Sequence, residues 1–311
     1  MEIKEIKFIM SKKAVTLGGL EIKKLFRCLE CNSIRTILKS SWREIGNFNV
    51  FSVLFKSILR KFIGKVSITK KMQYKLLPYL NKYSEKDIRF VSVVFSNGKS
   101  AIFDTSDIPQ VDILQDIKDI MYKNQYFAFE KNIKDKIVLD CGANKGVFSI
   151  YSVLLGAKKV YSFEPVSRSN INLLKTIRLN KMEDKIILFR KALGDENRSE
   201  KISYRYTGDG GGQINPKFVK ENGWISESVD VCRFDDLNLG KIEFIKIDTE
   251  GYEAKVLIGA EKTIKKFKPI LSLSAYHKPS DKKELPELIK NIREDYSVRL
   301  NKFSEEDLYC Y

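Results

Sequence analysis

Asp140 and Glu164 each close an apolar run, and the loop that follows Asp140, DCGANKG, places glycines at 142 and 146. Glycine removes the side chain where backbone must turn sharply and where a ligand must come close. A phosphate-cradling dinucleotide loop needs a third glycine in a G-x-G-x-x-G frame, and this loop lacks it. Asp140 at the loop's entrance repels a pyrophosphate and suits an ammonium. Glu164 stands at about the interval from the first strand at which an acid reaches ribose hydroxyls. A ligand with an ammonium at one end and a ribose in the middle is S-adenosylmethionine. The competing reading is an α/β unit whose acids merely end strands.

A second group of chemically capable residues lies downstream. KIDTEGYE (Lys246 to Glu253) carries Asp248, Glu250 and Glu253, with Gly251 marking a turn among them. This acidic group reads as an acceptor-binding or proton-accepting rim, as a magnesium site, or as acids stabilising a helix N-terminus. Asp248 is the member expected to act in catalysis, and metal dependence is not the leading reading. His277 is the sole histidine. Its ordinary pKa near neutrality and its place just past a strand end make it a candidate general base, with Asp248 as helper or substitute.

DCGANKG (Asp140 to Gly146), FEP (Phe163 to Pro165), KIDTEGYE and YHKP (Tyr276 to Pro279) together resemble the FkbM family of S-adenosylmethionine-dependent methyltransferases. The resemblance covers about residues 125–311. It implies a class I methyltransferase fold and methyl transfer, usually to oxygen, on glycans or small natural products. Under it, Gly142, Ala143, Asn144 and Gly146 form the floor beneath the methionine part, and Asp140 faces its ammonium directly or through water. Glu164 takes the ribose hydroxyls and Ala192 lines the adenine pocket. Asn180 reads more simply as a helix cap. Glu250 and Glu253 are assigned to the acceptor.

The elements that must hold these residues alternate. Strands are expected at 137–140, up to 164, at 185–193, 242–248 and 269–276, with helices at 167–180, 252–267 and 286–293. A final antiparallel pair follows at 296–303 and 308–311. Alternation implies a Rossmann-like, doubly wound, mostly parallel sheet with ligands at the carboxyl ends of its strands. Extra strands are expected at 199–206 and 227–233, flanking a glycine-rich segment 207–223 that reads as a lid or a slack loop. A helix is expected over 112–130. Asn97-Gly98 between two apolar runs predicts a hairpin over 88–104 at the threshold of the catalytic domain. Residues 1–87 read as a helical basic region, with amphipathic helices near 21–38 and 50–63.

Composition sets outer bounds. The chain has 311 residues, 43% hydrophobic and 31% charged, which suits a globular protein of one large and one smaller part. Five cysteines make no disulfide framework, and Cys28-x-x-Cys31 has no second pair to complete a zinc site. No apolar run reaches membrane-spanning length. A cytoplasmic protein is expected, with peripheral attachment at the inner membrane face as a variant. The formal charge is +16; residues 1–99 hold 21 Lys/Arg against 7 Asp/Glu, so nearly all of it lies there. That asymmetry fits an anionic membrane surface, a partner enzyme or an acidic glycan, against the plain reading of a solvated lysine-rich face. The function expected is O-methylation of a glycan or small-molecule hydroxyl. The alternatives are a nucleic-acid methyltransferase, which lacks an Asn/Asp-Pro-Pro-aromatic tetrad here, and a non-catalytic cofactor-binding module.

Overall fold

A computed structural model describes residues 1–10, 14–20, 22–23, 88–107, 110–205, 213–214, 224–301 and 306–311. All of the expected helix at 21–38 but Ile22 and Lys23, which are helical, the expected helix at 50–63, the Cys28–Cys31 pair and nearly all of the glycine-rich segment lie outside them. The first described residues correct the helical reading of 1–87: β1 (Ile3–Met10) and β2 (Ala14–Gly18) are antiparallel strands. They join β3 (Ile88–Phe95) and β4 (Ser100–Asp104) in a sheet of order β2-β1-β3-β4. Alternation explains the error. Ile6 and Phe8 face the core at a period of two, alternating with Glu5 and Lys7. The hairpin forms over the expected residues with a different turn. Only Gly98 has positive φ, and its N–H reaches the Phe95 carbonyl at 3.0 Å. This is a type I turn closed by a left-handed glycine, not a two-residue type I′ turn.

The expected helix over 112–130 is broken. It runs as α1 (Gln110–Asp116), continues as a π-helical segment (Ile117–Tyr122), and stops. Asn124 and Phe127 then take left-handed φ of 54° and 52°, and α2 (Glu130–Ile133) restarts the helix. No glycine or proline marks this break in the sequence.

The central sheet follows. β5 (Ile137–Cys141), α3 (Val147–Leu154), β6 (Lys159–Phe163), α4 (Ser167–Leu179) and β7 (Ile186–Phe189) form one half. The expected third strand ends early: β8 (Ala192–Leu193) leaves the sheet and pairs in parallel with β11 (Trp224–Cys232). With β9 (Arg198–Arg205) and β10 (Gln213–Ile214) these make a separate four-stranded sheet. The second half holds β12 (Phe244–Ile247), α5 (Glu253–Gly259), α6 (Glu261–Phe267) and β13 (Ile270–Ser274). It ends with α7 (Asp281–Ile292), β14 (Val298–Asn301) and β15 (Asp307–Cys310). A single helix over 252–267 was expected. It breaks at Ala260, where Asp235 accepts the Lys262 and Thr263 N–H groups and caps a second helix from outside.

The order is β14-β15-β13-β12-β5-β6-β7, parallel except for the β14–β15 end. The chain reverses direction across the sheet between β5 and β12, which opens a crevice at their carboxyl ends. Every β12 residue is buried, as a parallel strand covered on both faces requires. Cys141, Cys232 and Cys310 are buried free thiols. Among the described residues, no helix is long and apolar enough to cross a membrane.

The small sheet is not a separate body. Its Ile6, Val91 and Phe103 share one core with α3 and β5. Its β4 edge is closed by a helix instead of a strand. Asn172, Thr176 and Asn180, four residues apart on one face of α4, meet the exposed backbone. Asn180 donates to the Ile102 carbonyl at 2.6 Å and accepts the Ile102 N–H at 2.9 Å. Asn172 donates to the Asp104 carbonyl at 3.1 Å. Asn180 is therefore the cap of α4, with its side chain also on the Thr176 carbonyl at 2.8 Å, and a joint between that helix and β4. Asn180→Ala leaves both Ile102 groups unpaired and is expected to cost about 1–3 kcal/mol, read as a lower urea midpoint with an unchanged far-ultraviolet spectrum.

Candidate active site

A cavity of about 340 Å³ opens at the carboxyl ends of β5, β6 and β12, within the size of small-molecule pockets. Gly142, Ala143, Asn144, Glu164, Ala192, Asp248, Glu250 and His277 all line it, as the sequence expects of a shared rim. Asp140, Gly146 and Glu253 are not in the wall.

Asp140 is fully buried behind the loop. Its carboxylate sits 3.1 Å from the Lys246 ammonium and accepts the Ser149 hydroxyl at 2.6 Å. It organises the loop and makes no contact with the cavity, which corrects its expected place facing a ligand ammonium. Lys246 was missed. Its ammonium also donates to the carbonyls of Gly142 at 2.6 Å and Cys141 at 3.2 Å. Burial opposes its charge, but Asp140 and Asp248 outweigh burial and hold it above the usual lysine range. The signal was a lone lysine inside the apolar run Phe244–Ile247.

The two loop glycines serve different ends. Gly142 has φ +75°, and a Cβ there would lie 1.9 Å from the Asp248 carbonyl oxygen. The β5 and β12 loops touch backbone to backbone at this point. A Cβ on Gly146 would lie 2.1 Å from Leu173, so this glycine lets α4 pack against the start of α3 instead of flooring the cavity.

Glu164 is buried and lines the cavity. It accepts the Asn144 N–H and the Val166 N–H, each at 2.8 Å. A carboxylate has about four acceptor positions, so two remain for other donors. Burial pushes its pKa up to about 7, against the pull of those two N–H groups. Beside it, Phe163, Val166, Leu193 and Ile202 give the cavity an apolar wall next to Ala192. Ala192 reaches this wall from β8 and not from the third strand of the central sheet.

The opposite wall is acidic. Asp248 follows β12 directly, and its Oδ2 accepts the Tyr126 hydroxyl at 2.6 Å. Tyr126 comes from the left-handed turn that breaks the expected helix, so periodicity hid it. Burial first, then Asp248, raises its phenol well above the ordinary range. His277 lies just beyond β13 with its side chain 9% exposed. Its Nδ1 is 2.9 Å from Glu253 Oε1, and its Nε2 is 3.6 Å from both Asp248 Oδ1 and Glu250 Oε2. Burial works against the imidazolium, but the Glu253 hydrogen bond and the fields of Asp248, Glu253 and Glu250 raise it to about 9. In this state the ring carries its proton at neutral pH, which corrects its reading as a free general base. Glu253 is itself corrected. It is 1% exposed and accepts Thr249 N–H at 2.9 Å and Gly251 N–H at 3.2 Å, so it holds His277 and the turn and cannot meet an acceptor.

Two outcomes test this electrostatic design. Lys246→Met strands the Asp140 charge and is expected to cost about 3–5 kcal/mol, whereas a Lys246→Met/Asp140→Leu double variant recovers most of that in chemical denaturation. Glu164 binds its proton more tightly folded than unfolded. Its stabilising share is complete below 4.5 and is lost as pH rises through about 7. Between pH 4.5 and 8 the unliganded protein should therefore lose about 3 kcal/mol relative to Glu164→Gln, measured by urea unfolding at each pH.

Residues 140–299, just over half of the chain, match the Methyltransferase FkbM domain. Protein arginine N-methyltransferase 6 of Danio rerio is 37% identical over 81 residues, 26% of this chain and 23% of that enzyme. Protein arginine N-methyltransferase 1 of Saccharomyces cerevisiae is 31% identical over 120 residues, 37% of this chain and 34% of that enzyme. The chain thus spans between about a fifth and a third of the length of the curated relatives it matches. The crystal structure of methyltransferase FkbM from Methylobacillus flagellatus aligns with a TM-score of 0.46 at 21% identity, over 67% of this chain and 56% of that one. The doubly wound sheet with its antiparallel end is a class I methyltransferase fold, and with the matched domain lying across it the chain belongs to the FkbM methyltransferase family.

Proposed function

We propose that this protein transfers the methyl group of S-adenosylmethionine to a hydroxyl of a glycan or small molecule. The observation that carries this reading is one cavity with two unlike walls: Glu164 beside an apolar surface on one side, and Asp248, Glu250 and His277 on the other. The residues present fit the cofactor. Glu164 keeps two acceptor positions for a ribose diol, Gly142 presents backbone with no side chain, and the apolar wall beside Ala192 suits adenine.

When bound, S-adenosylmethionine supplies an activated methyl on a sulfonium. The chain's residues position, desolvate and move a proton. Glu164 accepts from the ribose hydroxyls. Asn144 N–H keeps Glu164 aimed at the cavity. The acceptor hydroxyl would sit at the acidic rim, where Asp248 or Glu250 would receive its proton. His277 orders that rim, because its Nδ1 is committed to Glu253 and its Nε2 faces the two carboxylates. The basic first 99 residues are assigned to docking on an anionic acceptor, partner or membrane face.

A second reading is methylation of protein arginine, favoured by the two arginine methyltransferases above. The matched stretch is a minor part of each of them. A nucleic-acid acceptor has no specific observation behind it.

Calorimetric titration with S-adenosylhomocysteine is expected to give a micromolar dissociation constant, weakened at least tenfold by Glu164→Ala. A folded sample that binds neither S-adenosylhomocysteine nor S-adenosylmethionine would sink the reading. Tritiated methyl transfer to saccharides against arginine-rich peptides then separates the two acceptor classes.

A further inference from the structure

The acidic wall holds one buried atom that its own surroundings leave without a hydrogen-bond partner. His277 Nε2 is buried, makes no hydrogen bond, and points between Asp248 and Glu250. At 3.6 Å from each carboxylate oxygen it is too far to donate a good hydrogen bond. It is at the right distance from each carboxylate for the two to share one ion with it. Two ligands each about 2.1 Å from a metal lie about 3.0–3.6 Å apart at angles between square and trigonal. One ligand atom from each of Asp248, Glu250 and His277 falls within 4.8 Å of the others.

The surroundings of the histidine point the same way. Glu253 is buried, and its Oε1, 2.9 Å from Nδ1, fixes the proton on that nitrogen. A cation entering between the two carboxylates would displace the Nε2 proton and take up the lone pair that faces them. A carboxylate behind an imidazole is the usual support of a metal-bound histidine, because it sets the tautomer and the ring angle. Tyr126 does comparable work for Asp248. It occupies Oδ2 at 2.6 Å and leaves Oδ1 turned toward His277.

We infer that Asp248 Oδ1, Glu250 Oε2 and His277 Nε2 bind a divalent cation at the acceptor end of the cavity. Two carboxylates and one imidazole suit a hard-to-intermediate ion such as Mn²⁺, with Mg²⁺ and Zn²⁺ as competitors. This departs from the sequence reading, in which helix-start chemistry accounted for part of the cluster and a metal was secondary.

The site deepens the proposed methyl transfer and rests on it for its chemical role. All three ligands line the cavity, so the open positions of the ion face the acceptor. A hydroxyl bound there is acidified. Its proton passes to the second oxygen of Glu250, whose side chain is 31% exposed and can return it to water. The oxygen pair forms the new C–O bond, and the C–S bond breaks with its electrons remaining on sulfur. The products are the methyl ether and S-adenosylhomocysteine.

The test is titration of chelator-treated full-length protein with Mn²⁺, followed by the loss of the free-ion electron paramagnetic resonance signal. S-adenosylhomocysteine binding is measured on the same sample. One ion per chain is expected, with at least tenfold weaker binding in His277→Ala and in Glu250→Gln, and 10–100-fold weaker binding in Glu253→Gln. Glu250→Gln, at a partly exposed position, keeps the test decisive where His277→Ala fails to fold. Wild-type protein that binds S-adenosylhomocysteine but takes up no Mn²⁺, Mg²⁺ or Zn²⁺ at millimolar concentration overturns the cation site and leaves the methyltransferase reading standing. Mn²⁺ binding undiminished in Glu250→Gln also overturns the site. One Mn²⁺ per chain, sensitive to these variants, without S-adenosylhomocysteine binding supports the site and removes the cofactor reading.

Discussion

One ammonium group holds the two halves of the site in register. Lys246 stands opposite Asp140 where β5 and β12 run side by side. It neutralises that carboxylate and gathers the carbonyls of Cys141 and Gly142. Burying both charges is costly, and a packed apolar pair in their place would be about as stable. What the pair adds is position. It anchors the end of β5 to the end of β12, and the loops leaving those strands carry the two walls of the cavity.

The rest of the site inherits its geometry from that anchor. With the two strand ends fixed, the backbones meet where Gly142 has no Cβ to separate them from the Asp248 carbonyl. Asp248 then stands within reach of Tyr126 and His277, which arrive from two other elements. Glu164 is placed separately by β6 and steadied by backbone N–H groups from the neighbouring loop. The cavity thus places Glu164, near its titration point, beside apolar side chains, and crowds several acids around one histidine elsewhere in its lining. Those are different electrostatic environments a short distance apart, which suits a ligand positive at one end and a reactive hydroxyl at the other.

The sheet and its loops were legible because their signals are local. Apolar runs ending in acids marked β5, β6 and β12, and Asn97-Gly98 marked the hairpin. Asp140, Glu164, Asp248 and His277 were readable as strand-end groups converging on one rim, and all but Asp140 reach the cavity. What stayed hidden depends on contacts distant in sequence. Whether Asp140 faces a ligand or an internal lysine is decided by its neighbour across the sheet. Glu253 looked available until the fold placed it under His277. Tyr126 could not be found, because a helix broken without glycine or proline keeps its apolar period. The strands in 1–18 were lost to the lysine-rich composition around them, although Ile6 and Phe8 carry the alternation.

The small sheet also imposes an order of events on synthesis. β1 and β2 form a hairpin from neighbouring residues, but β1 finds its other partner only when Phe8 meets Val91. Translation at about 5–20 residues per second leaves that edge unclaimed for several seconds. Closing so distant a pairing is also slow in itself. During this interval the nascent hairpin exposes an apolar face and a row of unpaired amides, the conditions under which strands associate with the wrong chain. Lys4 and Lys7, with Glu2 and Glu5 between and before them, alternate with the apolar residues of this stretch. Their charge guards the hairpin until β3 arrives, which gives these residues a part in biogenesis separate from anything at the cavity.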